Sequence, residues 1–141
     1  MSTDCNLHAQ RPHIEQDEHA SDYATYLWQH IPLFTWWATE ITPINSETIR
    51  FRRIDDISAY HFFTPTDLLI GAHRAARLLQ ANPHAFSVSL LTRTRIPHVL
   101  NGDWKYAPTD RTFVSLALQL AVFETVTFPL RQRAQDSLLT A

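Results

Sequence analysis

Thr48-Ile49-Arg50-Phe51-Arg52-Arg53-Ile54-Asp55-Asp56-Ile57-Ser58-Ala59-Tyr60-His61-Phe62-Phe63 is the stretch on which the fold class turns. From Thr48 to Ile54 the residues alternate, with Ile49, Phe51 and Arg53 on one side and Arg50, Arg52 and Ile54 on the other, which is the period of a strand. Ile57 to Phe63 is β-branched and aromatic at intervals, and a turn around Asp55-Asp56 would join the two runs into a hairpin. That turn holds no glycine, the residue that tight hairpin turns use for positive φ. A short helix starting near Asp55 and carrying Ile57, Tyr60 and His61 therefore competes. With the flanking sequence the balance predicts a mainly α protein, a compact helical domain with a buried C-terminal helix. One short hairpin near 48–63 is the place where it would become α+β.

The flanking sequence that tips the balance begins at Thr64. Thr64 can accept from free amides of a first helical turn, Pro65 has the φ that position wants, and Asp67 places negative charge at the positive end of the helix dipole. Asn82 before Pro83 closes the helix, because a residue ahead of proline is pushed out of the α region. At about 100° per residue, Leu68, Ala72, Ala75, Ala76 and Leu79 share one face and His73, Arg74, Arg77 and Gln80 the other.

Working outward, Met1 to Ala20 reads as a mobile acidic arm and 21–141 as a single helical domain. Ser21 and Asp22 would cap a helix that Pro32 ends or kinks, followed by the aromatic patch Leu33-Phe34-Thr35-Trp36-Trp37. Ile41 to Glu47 reads as a turn-rich connector. After Pro83, Phe86, Val88, Leu90 and Leu91 are expected in the core, and Pro97 to Leu100 in one more short helix. A final helix is expected from Arg111 to about Phe128, too long for an ordinary strand and apolar but for Ser115 and Gln119. So apolar a rod is either central or paired with its copy, so a homodimer through Phe113–Phe123 and Trp36-Trp37 is expected. Arg131 to Ala141 is a polar tail.

Composition narrows the function. The 141 residues fit one domain able to bury a core without staples. A lone Cys5 gives no disulfide framework, and Gly71 and Gly102 are too few for a Gly-rich phosphate cradle, a dinucleotide fingerprint or a nucleophile elbow. The start shows no secretory signal and no run reaches a membrane span, so the chain reads as cytoplasmic, without membrane or cofactor. His8, His13, Glu15 and His19 match no metal-ligand spacing, and no metal site is expected. A net charge of −2 conceals an asymmetry: residues 50–105 carry seven arginines and Lys105 against Asp55, Asp56, Asp67 and Asp103. Such a segment attracts phosphate or an acidic protein surface.

Three groupings carry candidate chemistry. Helical pieces at Thr64–Asn82, Pro83–Thr92 and Ile96–Asn101 have trihelical DNA-binding lengths. With the turn at Arg93, Val88, Ser89 and Val99 suit a helix-turn-helix register, while Arg93 and Gly102 depart from it. Arg74, Arg77, Arg93, Arg95 and Lys105 are then the residues expected on nucleic acid or on an acidic partner. Second, Arg93-Thr94-Arg95-Ile96-Pro97-His98 resembles the arginine, four-residue gap, histidine motif of the HEPN ribonucleases. That resemblance implies Arg93 and His98 acting on an RNA phosphate in a helical dimer cleft. Third, His61 near Asp67, His73 and Arg74 would suit proton transfer or a divalent ion, although a capping Asp67 and a surface His73 explain the same letters. The sequence favours a non-catalytic regulator that binds nucleic acid, with a protein adaptor or inhibitor as the alternative and a HEPN-like ribonuclease third.

Overall fold

The alternation of Thr48–Arg53 is realised as a strand, and it has partners on both sides. In the computed structural model, which describes residues 17–130, the order is α1 (Glu18–Phe34), β1 (Ala38–Asn45), β2 (Thr48–Arg53), β3 (Asp56–Phe63), α2 (Pro65–Ala81), α3 (Leu90–Leu100), a 3-10 turn (Trp104–Tyr106) and α4 (Arg111–Leu120). The strands form an antiparallel meander, β1-β2-β3. The protein is therefore α+β, four helices beside a three-stranded sheet, and the mainly helical expectation is corrected. Two physical reasons account for the error. The supposed connector contains β1, whose Pro43 is tolerated because β1 is an edge strand and needs no donor there. The turns also manage without glycine. Asn45 Oδ1 accepts from Glu47 N at 2.8 Å, and Asp56 Oδ1 accepts from Ser58 N at 3.1 Å, so side chains supply the turn geometry.

Both edges of the sheet are irregular. β1 shifts register between Thr39 and Thr42, where Glu40 has φ 54°, and again between Pro43 and Asn45. On β3 the partner of Arg52 is Tyr60 while that of Arg53 is Asp56, so Ile57 to Ala59 bulge. Such devices blunt an edge against strand addition. The inner face, Ile49, Phe51 and Phe63, is buried against Trp37, which also stacks on Phe128 at 5.8 Å and lies 5.3 Å from Phe123. Aromatic packing through the segment after α4 thus joins the sheet to the rest of the core.

The helices follow their caps. Asp17 Oδ1 accepts from His19 N and Ala20 N, so α1 starts at Glu18, ahead of the Ser21-Asp22 start read from the sequence. It runs two residues past Pro32, to Phe34, and Thr35 Oγ1 donates to Ile31 O at 2.5 Å where it ends. Thr64 and Asp67 exchange side chain-to-amide hydrogen bonds at both 3.2 Å, a capping box, and Asn82 ends α2. The predicted inward set Leu68, Ala72, Ala75, Ala76 and Leu79 is buried. Gly71 is also inward: a Cβ there would sit 2.1 Å from Ala117 O, so only glycine permits this approach of α2 to α4.

Further along, two expectations change. Pro83 to Val88 is not helical. Ser89 Oγ accepts from Thr92 N at 3.1 Å and starts one helix, α3, with Pro97 inside it; Leu90 and Leu91 point to solvent rather than the core. α4 stops at Leu120 rather than Phe128, because buried Gln119 folds the chain back. Its Oε1 accepts from Thr127 N and Phe128 N, both at 3.0 Å, and its Nε2 donates to Phe128 O at 2.8 Å. Every residue from Phe113 to Leu120 is buried inside the chain, as is Trp37, while half-buried Trp36 donates to Pro129 O. These side chains pack within the chain, Trp36 only in part. Among the described residues no helix is long and apolar enough to cross a membrane. Of the arm expected over 1–20, Asp17 to Ala20 cap and begin α1, while 1–16, with Cys5, His8, His13 and Glu15, and 131–141 lie outside the described residues.

Candidate anion-binding surface

The helical half places the five singled-out cations in three settings. On α2, Arg74 follows Gly71 by one turn, and the tight helix crossing brings its Nη1 to Leu120 O at 3.0 Å. A guanidinium on the last carbonyls of α4 offsets the negative end of that helix dipole. Arg77, the next turn along, is exposed. At the start of α3, Arg93 donates to Pro83 O and ties down the connection from α2. Each guanidinium keeps further donors after one such bond.

Lys105 belongs to a second grouping, around a residue that is not among those five. Arg95 and His98 are three apart on α3 and so share a side. His98 Nδ1 is 3.7 Å from Asp103 Oδ2, its ring lies 4.7 Å from that of Tyr106, and Asp103 N donates to His98 O at 2.8 Å. Lys105 Nζ stands 5.6 Å from the Tyr106 ring. The end of α3 and the 3-10 turn therefore form one corner with a cation, a histidine and a tyrosine, and Arg95 lies about one helical turn before it on α3.

What distinguishes this half is where its carboxylates go. Asp67 is spent in the capping box of α2. Asp110 caps α4 through Thr112 N at 2.8 Å and also accepts from Ser89 N at 2.9 Å. Partial burial pushes the Asp110 carboxyl up, but the amides of Ser89, Thr112 and Phe113 outweigh it and hold the group below the usual range. Asp103 sits beside His98. Among the described residues, none of Arg74, Arg77, Arg93, Arg95 and Lys105 has a carboxylate at ion-pair distance.

For Arg52 and Arg53 in the sheet the arrangement is reversed. Arg52 Nε lies 3.4 Å from Glu40 Oε2, a charge contact without hydrogen-bond geometry, and Arg53 forms a forked pair with Asp55 at 2.9 and 3.0 Å. The Arg53 hydrogen bonds hold Asp55 below the usual carboxylate range. Arg50 and Arg52 both lie over the ring of Tyr60, at 4.3 and 4.2 Å. These residues of the outer sheet face, with Phe62, are absent from the sequence-derived set. The signal for them was the alternation that put Arg50 and Arg52 on one side.

The chain matches no protein-family model, no curated protein and no solved structure with which it was compared. Its chemistry must be read from its own side chains. The two residues of the HEPN-like motif have different neighbours, Arg93 at Pro83 and His98 at Asp103 and Tyr106. The turn expected at Arg93 for a helix-turn-helix falls inside α3. His61 is taken into the aromatic cluster, 5.4 Å from Phe51 and 6.0 Å from Phe123, and Asp67 is a cap. Among the described residues no three His, Cys, Asp or Glu side chains are grouped to hold a metal ion.

Proposed function

We propose that this is a small regulatory protein that binds the phosphate backbone of nucleic acid through Arg74, Arg77, Arg93, Arg95 and Lys105. The observation that carries the reading is that these cations lack carboxylate partners among the described residues, whereas Arg52 and Arg53 in the sheet have them. Arg74 and Arg93, pinned to main-chain carbonyls, are pre-positioned and lose little freedom on meeting a phosphate. Arg77 and Lys105 are exposed and Arg95 is half-buried on α3, and contacts of this type position a backbone without reading bases.

Anisotropy of a labelled random 20-mer duplex, titrated with the full chain at rising salt, tests the reading. Neutralising three to five phosphates predicts a slope of about −3 to −4.5 in log K against log salt. The alternative, an adaptor whose basic face meets an acidic protein, predicts no retention of the duplex at moderate ionic strength.

A further inference from the structure

The outer face of the sheet is an ordered array that neither the core nor the nucleic-acid reading uses. Cross-strand pairing lines up Thr39, Arg52 and Tyr60 in one row and Thr42, Arg50 and Phe62 in the next. Tyr60 is 42% and Phe62 49% exposed, and Ile44, Ile54 and Ile57 of the same sheet are also solvent-exposed. Arg52 is fixed by Ile57 O at 2.8 Å, the Tyr60 hydroxyl at 2.5 Å and Glu40. Arg50 has no carboxylate at ion-pair distance among the described residues, and its Nε is buried without a hydrogen-bond partner. With both edges bulged, an incoming segment has the face to sit on rather than a strand to extend.

We infer that this face docks a protein segment with a carboxylate at its centre, set against Arg50, apolar side chains on Tyr60 and Phe62, and basic residues toward its ends. Charge complementarity selects that partner. The centre of the face is cationic at Arg50, while Glu47 stands at the β1–β2 turn and exposed Glu40 lies against Arg52 in the row nearer the β2–β3 turn, toward opposite ends of the strands. A polyanion laid along the strands would meet a carboxylate at each end; a protein segment of alternating sign would not. Arginine and tyrosine already held against each other are also the side chains that dominate protein interfaces, at low ordering cost.

The test is a random dodecamer peptide library, displayed on phage and selected against the full chain. The expected winners carry a central Asp or Glu beside an aromatic or aliphatic residue, with Lys or Arg toward the ends. Synthesised singly, they should bind Arg50→Glu and Phe62→Glu about tenfold or more weakly. Arg50→Lys, which keeps the charge and loses the planar stack, should fall between these and the parent. The double variant Arg77→Glu, Arg95→Glu should bind the peptides as the parent does, so the inference and the nucleic-acid reading fail separately. Circular dichroism melts confirm that the variants fold; should a glutamate variant not fold, Phe62→Ser and Arg50→Gln take its place. Absence of enrichment, winners without the acidic centre, or winners that bind the sheet variants unchanged would overturn the inference. So would retention of single-stranded dT20 that Arg50→Glu abolishes, which would assign the face to nucleic acid.

Discussion

Arg52 and Arg53 of the sheet and the arginines of the helical half settle their charge in different ways. In the hairpin, chain reversal returns acidic residues to their basic neighbours: Asp55 to Arg53 two positions away, Glu40 to Arg52 across a strand pair. In the helices, acids are drawn to free amides instead. Asp17, Asp67 and Asp110 all accept from first-turn N–H groups, and the cations nearby go without them. A net charge counted along helical sequence therefore understates the unpaired positive charge, because part of the negative charge is committed to caps.

The sharpest way to break the comparison is to separate its two halves. Trp37→Ala removes the ring that contacts Phe51, Phe63, Phe123 and Phe128, and is expected to cost ~3–5 kcal/mol in urea unfolding. A loss below 1 kcal/mol would mean the sheet is held some other way. Gly71→Ala comes next. Its Cβ would meet Ala117 O at 2.1 Å, so the α2–α4 crossing must open, at a cost of about 2–3 kcal/mol in the same assay, carrying Arg74 away from Leu120 O.

A smaller effect sharpens the point about caps. Asp110→Ala is expected to cost ~1 kcal/mol at neutral pH. The folded pKa of Asp110 is depressed, so its contribution is present above the unfolded value of about 3.9 and is lost as pH falls through the lower folded value. The destabilisation by Asp110→Ala should therefore shrink in acid, and a difference that stays constant down to pH 2 would contradict the cap assignment. Smallest of all is Arg53→Gln, which removes an exposed pair and should leave the thermal midpoint within error of the parent.

Elements with local chemistry at both ends were legible in the sequence. α2 could be read from Thr64, Pro65, Asp67 and Asn82 because each acts within one turn of its own position. The side assignment of Arg50 and Arg52 was also available from period-two alternation. The third strand was not, since β1 hides behind Pro43 and a bulge at Glu40, and only an edge position makes the proline harmless. The end of α4 was not legible either. Gln119 reads as one polar residue on an apolar helix, and its role depends on amides eight and nine residues ahead that the fold brings back to it. Of the candidate site, the cations and His98 were visible; the meeting of His98 with Asp103 and Tyr106 beside Lys105 required the corner between α3 and the 3-10 turn.

The difference between the two arginine populations is tested most directly by the salt dependence of duplex binding in two variants. The triple variant Arg77→Glu, Arg95→Glu, Lys105→Glu should flatten the slope of log K against log salt by about 2.7, whereas Arg53→Gln on the sheet, where the cation is already paired with Asp55, should leave it unchanged. Equal losses in both variants, or a slope that neither alters, would contradict the account.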